Sequence, residues 1–367
     1  MDAFPLAYTT GTDAPELARA LLAGLGTVPP GANLGFLYAT DALAPQLGPL
    51  TRLLRDATGI EHWTGTVGLA INVTGEEFYD QPAVAVMLGT FPDGAFDMLP
   101  PLTGRTGEDL MLRPNASLAV LHGDPDNPLT PTLVQSISQA APALFSVGGV
   151  TSSQRENLQI CDDVTQGGVS GVVFDASVEV VTNHTQGCTP IGPRHRITHS
   201  QNNIIAGLDG RDALDVFEED IGEVLAKNLE RVGGFIFAGL PIAGSDTGDY
   251  MVRNLIGIDT GQKMIAIGDY AEEGREIMFC RRDGNSATQD MRRMLDELRK
   301  QLAGRPIRGG LYFSCLGRGR YQFGENSEEL RMIRDELGEF PLVGFFANGE
   351  IYNGRLYGFT GVLTLFI

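Results

Sequence analysis

A chain of 367 residues is long enough to bury a sizeable core and to form two domains. With 43% apolar and 20% charged residues it has the make-up of a globular protein. A formal charge of −19 argues against a generic nucleic-acid or anionic-membrane binder, because both need a basic face.

Residues 13–25 read as a helix, with Leu17, Ala20, Leu21 and Leu25 on one stripe. A strand follows at 35–39, a helix at about 44–57, and hairpin-like strands at 65–73 and 82–88. The pattern then recurs: a strand from Leu118 to Leu121, a helix over 131–141 with Pro131 in its first turn, and strands at 144–149 and 168–174. Residues 178–218 are strand-rich, and 212–230 carry a one-sided helical stripe. Strands follow at 234–238, 250–258, 263–268 and 275–281. Ser286-Ala287-Thr288-Gln289 has the form of a capping box before a helix that ends at Gly304 and Pro306. A third strand (310–315), helix (327–337) and strand (341–346) lead to closing strands at 350–355 and 357–366.

Three stretches therefore look like versions of one strand–helix–strand–strand unit, marked by Trp63 to Gly68, Ser146 to Gly149 and Leu342 to Phe345. Such units favour mixed sheets with antiparallel pairs and helices packed on them. The expected fold is α+β or mixed α/β: two pseudo-related lobes of largely antiparallel sheets. No basic-then-apolar leader is visible, and no run of about 18 apolar residues occurs, so neither a secretory signal nor a membrane span is expected. The four cysteines form no CxxC pair, which points to a reduced, cytoplasmic chain without structural zinc.

The chemistry-bearing residues cluster in the third copy. Cys315 follows a strand, and Arg318 and Arg320 lie close by, a setting that favours a thiolate. Gly317-Arg318-Gly319 lies between a strand and a helix, where backbone N–H groups can hold an anion. Ala347-Asn348-Gly349-Glu350 carries a strong type I′ turn signal and reads as a hairpin tip. Arg253-Asn254 interrupts an apolar run, and Ser152, Ser153 and Arg155 occupy the post-strand loop of the second copy. The histidines at 62, 122, 184, 195 and 199 form no metal-binding pair at helical spacing.

These segments resemble the FIST family, named for its N-terminal and C-terminal FIST domains. The marks are Leu208 to Phe217, Val252 to Asp259, Phe313 to Gly319, Gly344 to Ile351 and Gly358 to Leu363, with Asp212 where the family commonly has proline. The matching division is a helical lead-in over 1–32, a FIST N-like domain over 33–211 and a FIST C-like domain over 212–367. The resemblance implies a bacterial sensory module for small ligands, with amino acids suggested as ligands. Some similar proteins are described as haem-binding gas sensors. The family module is often joined to signalling output domains; none occurs in this chain, so a partner protein would carry the signal.

The expected site is ligand-binding: Arg253 and Arg318 clamp a carboxylate, and Asn348, Glu350 and the backbone of Gly317 and Gly319 orient the remainder. Asn254, Cys315 and Gly349 complete the set. No cofactor is expected in this reading. The alternatives are haem held by one of the histidines, and an enzyme using Cys315 as nucleophile or redox thiol. Glycine-rich edges and apolar strands permit a homodimer without requiring one.

Overall fold

The computed structural model describes residues 2–104, 110–242 and 250–367. In chain order the first repeat comprises β1 (Leu6–Thr10), α1 (Ala14–Leu25), β2 (Leu34–Thr40), α2 (Ala44–Thr58), β3 (His62–Gly68), β4 (Ala70–Val73), β5 (Glu76–Tyr79) and β6 (Ala83–Gly89). The second comprises β7 (Phe96–Leu102), β8 (Ala116–Gly123), α3 (Thr130–Gln139), β9 (Phe145–Val150), β10 (Gln159–Cys161), β11 (Asp163–Thr165) and β12 (Val169–Asp175). The third opens with β13 (Val180–Gln186) and is interrupted. The interruption holds β14 (Cys188–Pro190), β15 (His195–Gln201), β16 (Ile204–Leu208), β17 (Arg211–Asp212), α4 (Ala213–Ile221), α5 (Glu223–Ala226), β18 (Ile236–Pro241), β19 (Tyr250–Asp259), β20 (Met264–Ile267) and β21 (Glu276–Arg282). After α6 (Gly284–Leu302) the repeat resumes with β22 (Gly309–Cys315), α7 (Arg320–Phe323), α8 (Glu328–Leu337), β23 (Leu342–Ala347), β24 (Glu350–Tyr352), β25 (Arg355–Tyr357) and β26 (Thr360–Phe366).

Two compact units result: residues 1–185 with 291–367, and residues 186–290. The first holds three six-stranded sheets of one design, ordered β1-β6-β2-β3-β10-β11, β7-β12-β8-β9-β24-β25 and β13-β26-β22-β23-β4-β5. At the centre of each, a strand–helix–strand crossover makes a parallel pair: β2 with β3, β8 with β9, β22 with β23. The outermost hairpin of each sheet comes from a different repeat. β4 of the first repeat pairs with β23 of the third, β10 of the second with β3 of the first, and β24 of the third with β9 of the second. The exchange is cyclic.

The three sheets turn apolar faces to a common core, and registration places Tyr38, His122 and Phe313 at equivalent positions. Their rings meet at 5.6, 6.1 and 6.3 Å. A second triangle, Phe91, Phe174 and Phe366, has centroids 4.9 to 5.8 Å apart. Phe174 and Phe366 are equivalent; the first repeat has Gly89 there, and the Phe91 ring fills the space that a Cβ on Gly89 would enter. The helices cover the outer faces: Leu17, Leu21, Leu47 and Leu50 on the first sheet, Leu133, Val134 and Ile137 on the second, Met294, Leu298, Leu330 and Ile333 on the third.

The second unit is a different structure. β15, β16, β20, β19, β18 and β21 pair antiparallel in turn, and β21 pairs back to β18 and to β15, closing a six-stranded barrel. Phe217 and Val216 of α4 pack in its core beside Phe279 and Ile236. The two units are therefore not the related lobes expected. The repeated units all lie in one, and the other lacks any parallel crossover among its described strands.

Local chemistry explains further differences. The helix expected over 212–230 breaks at Gly222, which sits at φ +79°. α6 starts earlier than the Ser286 pattern suggests, because Asp283 accepts from Asn285 N and Ser286 N at 2.9 and 3.3 Å. Residues 65–73 form two strands in different sheets, β3 and β4. The 1–32 lead-in contains β1, an edge strand on β6, as well as α1.

Candidate functional site

The carboxyl ends of the three parallel pairs lie at one end of the repeat unit, and the turns that follow them interlock. Leu69 N donates to Ser152 Oγ, which donates to Phe346 O. Asn348 N donates to Val150 O, and Val150 N to Gly349 O. Thr66 and Thr151 share a hydroxyl hydrogen bond of 2.7 Å. Each turn thus rests on its neighbours from the other repeats.

A cleft of about 450 Å³ opens among these turns. Thr40 and Asp41 reach it from the end of β2, Tyr79 and Asp80 from the end of β5, Leu316 from the loop after β22, and Arg320 and Tyr321 from the start of α7. Arg320 is its chief cation. The guanidinium bonds Asp80 at 2.6 Å and lies over the rings of Tyr79 and Tyr321 at 4.3 and 4.9 Å. Asp41 Oδ2 accepts from Gln154 N at 2.9 Å. Cleft walls at strand carboxyl ends, bearing both charges and two aromatic rings, suit a small polar ligand.

Beneath this surface the Gly317-Arg318-Gly319 loop does hold an anion, and that anion is Glu329 of α8. Arg318 Nε and Nη2 donate to Glu329 Oε1 at 2.7 and 2.6 Å. Tyr312 OH, Ser314 Oγ and Gly319 N donate to the same carboxylate at 2.6, 3.0 and 2.9 Å. Arg318 and Glu329 are both fully buried. Arg318 therefore faces the protein's own carboxylate and has no surface to offer a ligand. Gly319 sits at φ +52°, and a Cβ there would fall 1.9 Å from the Tyr79 hydroxyl. Glu77 lies close by; burial and the Glu329 charge push it up to about 8.

Cys315, Gly349 and Glu350 are also brought to this end of the unit. Glu350 is fully buried, with Oε2 accepting from Thr360 N and Oγ1 at 3.0 and 2.6 Å and Oε1 unbonded. Burial pushes its carboxyl up to about 8. Burial, then the Glu350 charge, also raise the Cys315 thiol, overriding the arginine effect expected from the sequence. Asn348-Gly349 is not a hairpin tip: it carries the chain from β23 in one sheet to β24 in another. The type I′ turn is Asn353-Gly354, with φ +48° and +74°, joining β24 to β25.

Arg253 and Asn254 belong to the other compact unit. Arg253 lies on β19, and its Nε donates to Asp269 at 2.7 Å; Asn254 beside it is exposed. Histidines do not border either sizeable cleft described here, so neither offers haem a histidine ligand. His122 is buried against Tyr38 at 3.1 Å, and burial pushes it down to about 3. His195 is held between Asp209 and Asp220 at 2.7 and 2.9 Å.

The sequence reading missed Glu329, Asp41, Tyr79 and Asp80. Glu329 had a signal: it shares the buried stripe of α8 with Leu330 and Ile333, where a charge needs a partner.

These features define a three-repeat mixed α/β protein with an antiparallel barrel inserted in its third repeat. The chain belongs to the FIST family: the FIST N domain matches residues 33–211 and the FIST C domain residues 213–353. It is 32% identical over 373 residues to an uncharacterized protein of Mycobacterium tuberculosis H37Rv, covering 95% of this chain and 94% of that one. An uncharacterized protein of Mycobacterium bovis is 31% identical over 354 residues, covering 91% and 89%. Among the described residues no helix is long and apolar enough to cross a membrane.

Proposed function

We propose that this chain is a cytoplasmic sensory module whose ligand, an amino acid or other small carboxylate, sits in the cleft bordered by Asp41, Tyr79, Arg320 and Tyr321. The observation that carries the reading is the presence of a carboxylate and an aromatic-stacked guanidinium, from different repeats, in one cleft of ligand size. Arg320 pairs with Asp80, whose side chain is 74% exposed, so a ligand carboxylate competes with a well-solvated partner. Asp41 complements an amino group. The loop singled out in the sequence acts from behind: Arg318 and Gly319, locked on Glu329, hold Leu316 and Arg320 in place. Occupancy would then be read by a partner protein.

The test is thermal unfolding of the full chain against amino acids and other small carboxylates. One compound should raise the midpoint in a concentration-dependent way. Arg320→Ala should remove that shift, and Asp41→Asn should weaken it for amino acids but not for carboxylates lacking an amine. A shift that survives both substitutions places the ligand elsewhere; no shift with any compound sinks the reading.

A further inference from the structure

The opposite end of the repeat unit carries a second cleft, of about 530 Å³. It opens where β6, β12 and β26 end, so each repeat supplies an apolar wall: Phe91, Val178 and Phe366. The Phe91–Phe174–Phe366 triangle lies behind it, and Phe4 packs on Phe91 and Phe366 at 5.4 and 5.7 Å. The connection into β22 adds Pro306 and Arg308.

Arg308 is the unusual member. Its guanidinium carbon lies 4.7 Å from the centre of the Phe4 ring, and Nη2 donates to Thr90 O at 2.7 Å. Its Nε is buried with no hydrogen-bond partner. Among the described residues no carboxylate forms an ion pair with it. Arg305 at the rim is different, since Glu179 neutralises it at 2.9 Å. Asp2 acts on Arg308 only through longer-range charge, and burial outweighs that effect. The Phe4 ring face offsets part of the cost of holding a half-buried guanidinium without an ion partner, and an anion would offset more of it.

We propose that this cleft binds an apolar monocarboxylate, an aryl- or medium-chain alkyl acid, with its carboxylate on Arg308 and its hydrocarbon against Pro92, Pro306 and Ile367, the apolar lining residues that keep exposed surface. Apolar area supplies most of the attraction and the single charge sets orientation. Polyanions fit poorly, because Arg308 is the one unpaired cation described at the cleft and the chain as a whole carries −19. The site is separate from the amino-acid cleft and does not depend on it.

Isothermal titration of the full chain with octanoate and with 3-phenylpropanoate tests this, with 1-octanol as the neutral comparison. The expected result is saturable one-to-one binding of at least one acid, about tenfold tighter than the alcohol. Arg308→Gln should weaken the acid about tenfold while leaving the alcohol unchanged. Ser177→Trp, at the exposed mouth, should abolish both, with cooperative melting confirming that each variant is folded. Failure of both acids to bind, equal binding of acid and alcohol, or indifference to both substitutions would each overturn the proposal.

Discussion

Replacing Glu329 by glutamine keeps the side chain's shape and removes the charge facing Arg318. An unpaired guanidinium with no exposure is then left inside the protein. Urea unfolding should show a loss of about 3–5 kcal/mol, the usual cost of breaking a buried pair from one side. A loss below about 1 kcal/mol, the range of surface pairs, would mean that the loop can open and hydrate Arg318. Glu350 gives a different signature. Its native carboxyl is raised from 4.5 to about 8, so the folded state binds the extra proton. That contribution to stability is complete below about 4.5 and fades as pH rises through about 8, at up to about 1.4 kcal/mol per pH unit for one proton. Glu77 acts in the same direction. Glu350→Gln should flatten the decline between pH 5 and 8; an unaltered slope would place the proton elsewhere. From the sequence, the 315–320 loop was legible as an anion-holding turn. Whether the anion is a ligand or a carboxylate of the chain depends on a packing partner in α8, which spacing alone does not reveal.

Gly65, Gly148 and Gly344 occupy the same place in the three parallel pairs. A Cβ at any of them would lie 1.8 or 1.9 Å from a carbonyl oxygen of the neighbouring strand. For Gly65 and Gly148 the backbone, at φ +155° and +140°, also disfavours other residues. Gly148→Ala should therefore cost on the order of 3 kcal/mol or more, read from the urea midpoint at constant slope. A cost near the ordinary Gly-to-Ala range would show that the strands can move apart. These glycines, with the apolar runs around them, made the crossovers legible in the sequence. The partners of the short strands were not. β4, β10 and β24 span three or four residues each, too few for an alternation to declare a partner. The two Asn-Gly pairs illustrate the same limit: one turns a hairpin and the other links two sheets, with the same dipeptide at both.

The repetition visible in the sequence is the architecture of one whole unit, whereas the barrel's closure was hidden. Closure needs β18 to pair with β21, about 40 residues away, and nothing local marks that register. The barrel has its own continuous core, so residues 186–290 expressed alone should fold cooperatively by circular dichroism. A flat melt would show that its stability comes from elsewhere. Residues 305–367 alone should stay unfolded, because β23 loses β4 and β24 loses β9.

The cyclic exchange of hairpins has a consequence for mass action. A single repeat can pair its hairpin only with another copy, and three copies close the circle, so separate repeats would assemble with a stability set by their concentration. Covalent linkage makes that assembly concentration-independent and lifts the demand for identity. One position shared by the three sheets can then hold a tyrosine, a histidine and a phenylalanine at once, a mixture that no symmetric trimer of one chain could contain.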